Sequence, residues 1–410
     1  MTGAAGNPAR SRHFLWFAFG MLLPVPWVVA GTSGGLGLDA LTVAVLSGAA
    51  ILGAAFLLSW ACELAERDLP QSLAILVLAL VGVLPEYAVD LHFAWAAGKD
   101  ISYAPYAIAN MTGANRLLIG VGWAAVVFVE CARRRSTSVQ LAPRQRLEIR
   151  FLIWATLYSF LIPIDGRIDL YDGAILIALF LFYVASAMRG EVGDDRVLEG
   201  PAALIDTEFS DRGRRIWATL LFVFAGLAIF LSAEPFAESL VDLGRSHDID
   251  EFLLVQWVAP LASESPEFII AILFAWKLRG TLGIGTLISS KVNQWTLLVG
   301  AIPVAYAISS GGLEGMPVDE RQMQELWLTS AQSLLAVLLI ADLQFHRREA
   351  AILLLLFAGQ FMLPGSGARW AFTAVYLIAF VGVLIFGPAA QRRAFFAMLV
   401  SGPRSDRKAS

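Results

Sequence analysis

Twelve apolar runs, each near the length that crosses a bilayer, follow one another along this 410-residue chain and constrain its fold more than any other feature. A spanning helix needs about 20 predominantly apolar residues. Such runs fall at 14–31, 38–61, 72–97, 103–131, 149–164, 169–188, 216–236, 250–276, 282–309, 325–344, 349–363 and 370–387. The fifth and eleventh are short, which suits little tilt, a locally thinned bilayer or a re-entrant segment. In lipid, every backbone polar group has to be satisfied within its own segment, so these runs are expected as α-helices. Composition agrees: 58% of residues are hydrophobic, 16% are charged and the mean hydropathy is +0.67, against apolar and charged shares of about 45–50% and 25% in soluble domains. The expected fold class is an all-α polytopic membrane protein of about twelve spans, without a soluble domain or a nucleic-acid partner. No small-residue cleavage site follows the first run, which is therefore expected to remain as a span.

The net charge of -4 says little, but the placement of the charges says more. Lys and Arg accumulate on the cytoplasmic side. With the N-terminus inside, 23 of the 30 basic residues fall in inner segments and 5 in outer loops, namely Lys99, Arg167, Arg245, Arg321 and Arg369. The remaining two, Arg116 and Lys291, lie inside runs. Both termini are expected in the cytoplasm, and the chain in the plasma membrane. Cys62 and Cys131 lie near run ends and read as buried structural thiols. Glu130 and Asp342, also near run ends, read as solvated, and the tryptophans mostly as interface belts. His92 reads as a core or surface residue.

Two of the runs carry carboxylates where lipid tolerates them poorly. Pro85-Glu86 stands in the third run, and 181 residues later Pro266-Glu267 stands in the eighth. Each is followed in the next run by a polar, small-residue stretch: Asn110-Met-Thr-Gly-Ala-Asn115 after the first, Thr286-Leu-Ile-Ser-Ser-Lys291 after the second. Runs two to six and seven to eleven thus form two copies of one unit. Five is odd, so the second copy enters the membrane from the other side, giving an inverted repeat of five helices plus five with one extra helix at each end. The chain divides into an extra N-terminal span (1–35), a first repeat (36–190), a cytoplasmic linker (191–215), a second repeat (216–364) and an extra C-terminal span with its tail (365–410). Inverted repeats with interrupted helices are a mark of secondary transporters.

A carboxylate at the centre of a span costs at least about 2.5–3.5 kcal/mol, and a bound cation or proton offsets that cost. Glu86 and Glu267 lead the candidates. Pro85 and Pro266 are expected to free a carbonyl one turn earlier, and hard cations take such oxygen donors. Residues three or four apart share a helix face, which groups Glu86 with Asp90, Ser263 and Glu264 with Glu267, and Ser290 with Gln294. Asn110 is a further oxygen donor, or a helix–helix hydrogen bond. Asn115 lies opposite Lys291 when the two copies are aligned.

Two inverted repeats, each with Pro-Glu in one span and a Gly-Ser-Asn-like motif in the next, resemble the sodium/calcium exchanger family of cation antiporters, of which this chain looks like a divergent bacterial-type member. The resemblance rests on Gly82-Val-Leu-Pro-Glu86 with Asn110–Asn115, and on Ser263-Glu-Ser-Pro-Glu267 with Gly285-Thr-Leu-Ile-Ser-Ser-Lys291. It implies a membrane transporter rather than an enzyme. It also implies a ten-helix core that exchanges calcium or another cation against sodium or protons by alternating access, with Glu86 and Glu267 holding the ion and no cofactor. The partners are then inorganic cations and the bilayer, and oligomeric state is open.

The departures matter equally. Gly82 and Val83 stand where the resemblance implies Ser and Thr of the sodium sites, Glu264 follows Ser263, and the last ligand of the motif falls on Leu118 and on Gln294. Arg116 and Lys291 bring positive charge into the region as coupling or charge-compensating groups. Two readings stay open beside the antiporter: a transport-dead or strongly altered homologue with a Lys/Arg-filled site, and an intramembrane enzyme, for which no nucleophile or metalloprotease motif is present.

Overall fold

The computed structural model describes residues 8–32, 37–68, 83–189, 198 and 200–400. Gly82, the first part of the 72–97 run and most of the 190–199 stretch lie outside the described residues. Helices α1 (Pro8–Leu22), α2 (Val25–Thr32), α3 (Ala40–Glu66), α4 (Leu84–Ala97), α5 (Ala104–Leu117), α6 (Ala124–Arg134), α7 (Gln145–Ser159) and α8 (Leu170–Ala187) form the first half. The second half holds α9 (Gly200–Glu208), α10 (Asp211–His247), α11 (Glu251–Trp276), α12 (Gly280–Asn293), α13 (Val299–Ser310), α14 (Glu320–Leu339), α15 (Arg347–Met362), α16 (Ser366–Phe386) and α17 (Ala389–Val400).

Local sequence sets several of these boundaries. Asp39 caps α3 by accepting from the Thr42 N–H at 3.2 Å, and Asp319 forms a reciprocal capping box with Gln322 ahead of α14. Gly311 closes α13 in the left-handed region that glycine adopts without strain. Nine stretches among the described residues have the length and apolarity to cross a membrane. The runs expected at 72–97, 325–344 and 349–363 are not among them, although α4, α14 and α15 occupy their described parts. The largest difference from the sequence reading is α10: it runs for 37 residues, absorbing Arg214 and Arg215 at one end and Ser239 to His247 at the other, where a run of 216–236 was expected.

The chain forms two compact units, each drawn from both repeats. One comprises Met1–His92 and Met188–Pro266, the other Phe93–Ala187 and Glu267–Ser410. In the first unit α3 packs along α10. Gly48 permits this, since a Cβ there would meet the Phe236 ring at 2.8 Å. Helix α9, part of the expected linker, is tied to this unit by Arg67–Asp206 at 2.6 Å and Arg214–Asp206 at 3.1 Å, and Arg214 also pairs with Asp68 at 2.9 Å.

In the second unit α14 is the central element, buried from Leu328 to Leu339 and packed on α5, α7 and α16. Its two halves are related by a repeat visible in the backbone itself. Strand β1 (Ser138–Gln140) precedes α7 and pairs antiparallel with β4 (Gln344–His346), which follows α14. Strand β2 (Arg167–Ile168) follows α7 and pairs with β3 (Met316–Pro317), which precedes α14. Exchanging the halves converts one pairing into the other. The repeat also reaches the helix irregularities, because α5 and α12 each pass into a π-helical segment, Leu118–Trp123 and Gln294–Leu298. Such segments release regular helix hydrogen bonding and concentrate at functional places.

Candidate functional site

In the first unit, Glu86 and Asp90 stand one turn apart on α4 and are 2% and 0% exposed. Pro85 does not interrupt that helix. It sits in the first turn of α4, where a missing N–H is harmless, and the carbonyl it was expected to free lies outside the described residues. Pro266 stands inside α11, where it lacks the N–H that would bond the Ala262 carbonyl. Ser263 and Glu264 are buried on the same helix, with Ser263 Oγ donating to the Ala259 carbonyl at 3.3 Å. His92 has a partner the sequence did not disclose, Glu238 on α10 at 3.0 Å.

In the second unit, every side chain of α5 from Tyr106 to Leu117 is buried. Asn110 Oδ1 has no hydrogen-bond donor among the described residues. Asn115 donates its Nδ2 to the Met111 carbonyl at 2.7 Å, which aims its Oδ1 away from its own helix. Lys291 of α12 meets that oxygen: its Nζ donates to Asn115 Oδ1 at 2.6 Å and lies 4.5 Å from the centre of the Trp295 ring. An oxygen and an aromatic face together form a cradle for a cation, here the lysine's own ammonium. Two residues that correspond when the repeats are aligned are thus in contact. Gln294 and Ser290 also meet, at 3.5 Å. Glu267, half-buried on α11, has its Oε2 buried and without a hydrogen-bond donor among the described residues.

Three residues of this unit were misread from sequence. Glu130, expected in solvent, is buried and accepts the Gly280 N–H at 2.9 Å and Arg134 Nε at 2.8 Å. Its carboxylate thus caps the N-terminus of α12, where negative charge is favoured, and helps hold the helix that carries Lys291. Glu325, which drew no notice, is the partner of Arg116 at 2.5 Å, both 3% exposed. Arg369, expected in an outer loop, is buried against Glu325 at 3.7 Å and Gln324 at 2.9 Å. Trp123 and Trp295 are buried rather than placed in an interface belt. Cys62 and Cys131 are buried thiols outside any disulfide, as expected.

No three His, Cys, Asp or Glu side chains among the described residues are grouped so as to chelate a metal.

The family model described as sodium/calcium exchanger protein matches the chain twice, over residues 39–189 and 217–363. The chain belongs to the sodium/calcium exchanger family. Among solved structures, this exchanger is similar to the H+/Ca2+ exchanger CAX, with 40% identity over 98% of this chain and 100% of that one and a TM-score of 0.90. The fold is shared with the sodium-calcium exchanger NCX_Mj at 16% identity, over 79% of this chain and 98% of that one, with a TM-score of 0.53. A curated relative from Alkalimonas amylolytica, named "Putative antiporter CaxA", is 23% identical over 304 residues, covering 72% of this chain and 89% of that protein. The exchanger is thus an all-α, multi-pass membrane transporter of inverted-repeat architecture in a family of cation antiporters.

Proposed function

We propose that this exchanger moves calcium across the cell membrane against protons, by alternating access, with both termini in the cytoplasm. Glu86 and Glu267 are the cation-binding carboxylates. Asp90, Ser263 and Glu264 supply charge or oxygens in the unit that holds Glu86, and Asn110, Asn115, Ser290 and Gln294 in the unit that holds Glu267; Lys291 is the coupling group. The observation that carries this reading is two buried oxygens without a hydrogen-bond donor among the described residues, Asn110 Oδ1 and Glu267 Oε2, in a chain of this family. A buried acceptor left without a donor is costly, and a passing cation is the ligand that satisfies acceptors without donating to them.

Protons are favoured over sodium as counter-ion on two grounds. The chain is 40% identical to the H+/Ca2+ exchanger CAX. In the first copy the residues at the places of the sodium-site Ser and Thr, Gly82 and Val83, offer no side-chain oxygen, while the Lys291 ammonium already occupies the Asn115 Oδ1 acceptor. A buried lysine readily exchanges its proton because burial disfavours its charged form. Arg116, with its own carboxylate partner, is left out of this machinery.

Sealed proteoliposomes carrying either an imposed pH gradient or an imposed sodium gradient test the reading. Calcium uptake is expected with the pH gradient and not with the sodium gradient. Uptake driven by sodium alone would replace the coupling ion, and absence of uptake under both gradients would leave the altered, non-transporting homologue.

A further inference from the structure

Arg116 is a fixed positive charge one residue beyond Asn115, buried on α5. A guanidinium does not lose its proton in a protein, so its charge has to be offset by position. Glu325 does this at 2.5 Å, from α14, with both groups buried. The carboxylate is held in turn from α16, where Arg369 Nη1 stands 3.7 Å from its other oxygen. Arg369 is itself fixed by donating Nε to Gln324 Oε1 at 2.9 Å and Nη1 to the Pro364 carbonyl. Gln324 donates to Ser366 Oγ at 2.8 Å. On the other side, Gln332 of α14 donates to the Arg116 carbonyl at 3.3 Å, and Gln360 of α15 to Gln332 at 3.4 Å. These contacts all lie within one compact unit. The family match ends at residue 363, so Arg369 belongs to the helix added beyond it.

We infer that Glu325, held by Arg369 of the added C-terminal helix, is a positioning residue that sequesters the Arg116 charge, so that Asn110 and Asn115 of α5, with Lys291 of α12 beside them, remain receptive to a divalent cation. The inference deepens the proposed function and rests on it. The added helix is then part of the ion-handling machinery, supplying the outer member of an Arg–Glu–Arg triad. Glu325 does not touch the cation. It acts through Arg116, which distinguishes it from Glu86 and Glu267.

Calcium titration of the detergent-solubilised full chain by isothermal calorimetry tests this, with CaCl2 as the probe. Glu325→Gln exposes the neighbouring segment to an uncompensated guanidinium and is expected to raise the calcium Kd by about tenfold or more. Adding Arg116→Met to it is expected to bring the Kd back to within about threefold of wild type, since the offending charge is gone. A purely structural role would leave the second substitution without restoring effect. Should the single variant fail to fold, as an unpaired buried charge invites, the double variant alone decides. A Kd near wild type supports the inference, and a loss of about tenfold or more overturns it by making Glu325 a ligand in its own right. An unchanged Kd in folded Glu325→Gln also overturns it. A wild-type chain that binds no calcium overturns the proposed function and this inference together, whereas a binding wild type with an indifferent Glu325→Gln overturns this inference alone.

Discussion

Lys291 concentrates the chemistry at the scale of single residues. It is fully buried, it bonds Asn115 Oδ1 at 2.6 Å, and it faces the Trp295 ring. If its proton is the coupled one, Lys291→Ala uncouples the exchange: calcium-driven proton movement, followed with an entrapped pH dye, is expected to disappear. Proton movement at the wild-type rate in that variant would remove Lys291 from the mechanism. Sequence alone pointed to Glu86, Glu267 and Lys291 because charges inside apolar runs are costly enough to stand out. It passed over Glu130, Glu325 and Arg369 because each lies near the end of a run, where charge is cheap and reads as solvated. Only the pairing of distant elements, Glu130 with Gly280 and Glu325 with Arg116, shows them to be interior.

Helices and their contacts give predictions of a different kind. Helices α8 and α13 cross at a glycine pair, where a Cβ on Gly173 would meet the Gly300 carbonyl at 2.7 Å. Small residues allow such close approach in membranes. Gly173→Ala is therefore expected to cost about 1–3 kcal/mol, seen as a lower thermal midpoint in detergent. Gly226→Ala on α10, where no atom lies within 4 Å of the added carbon, is expected to be neutral or to stabilise by about 0.5–1 kcal/mol. A larger loss at Gly226 than at Gly173 would contradict the packing described.

The attachment of α9 adds a pH dependence. Hydrogen bonds from arginine, Arg214 to Asp68 and Arg67 to Asp206, hold both carboxyls below their usual value of 3.8. A depressed folded-state value means that the stabilisation is complete above about pH 4 and fades as the pH falls through the folded values. Proteolysis of the α9 region at about pH 3, against about pH 5, is expected to accelerate in wild type and to show less difference in Asp206→Asn, which removes the α9 carboxylate that titrates. The length of α10 was illegible for a related reason: its polar first turn reads as loop until Arg214 is seen bonded to Asp68, Asp206 and Asp211.

For the whole molecule, the repeat was legible because it is written twice, in Pro85-Glu86 and Pro266-Glu267 and in the polar stretch that follows each. The division into compact units was not. It falls within α4 after His92 and within α11 after Pro266, where hydropathy is continuous and only packing distinguishes one side from the other. The central claim is that the two repeated glutamates carry the transported cation. Calcium uptake into sealed proteoliposomes under an imposed pH gradient tests it most directly, comparing wild type with Glu86→Gln and Glu267→Gln at matched reconstitution. Uptake in wild type with both variants at background is the predicted result, and uptake in both variants equal to wild type would contradict it.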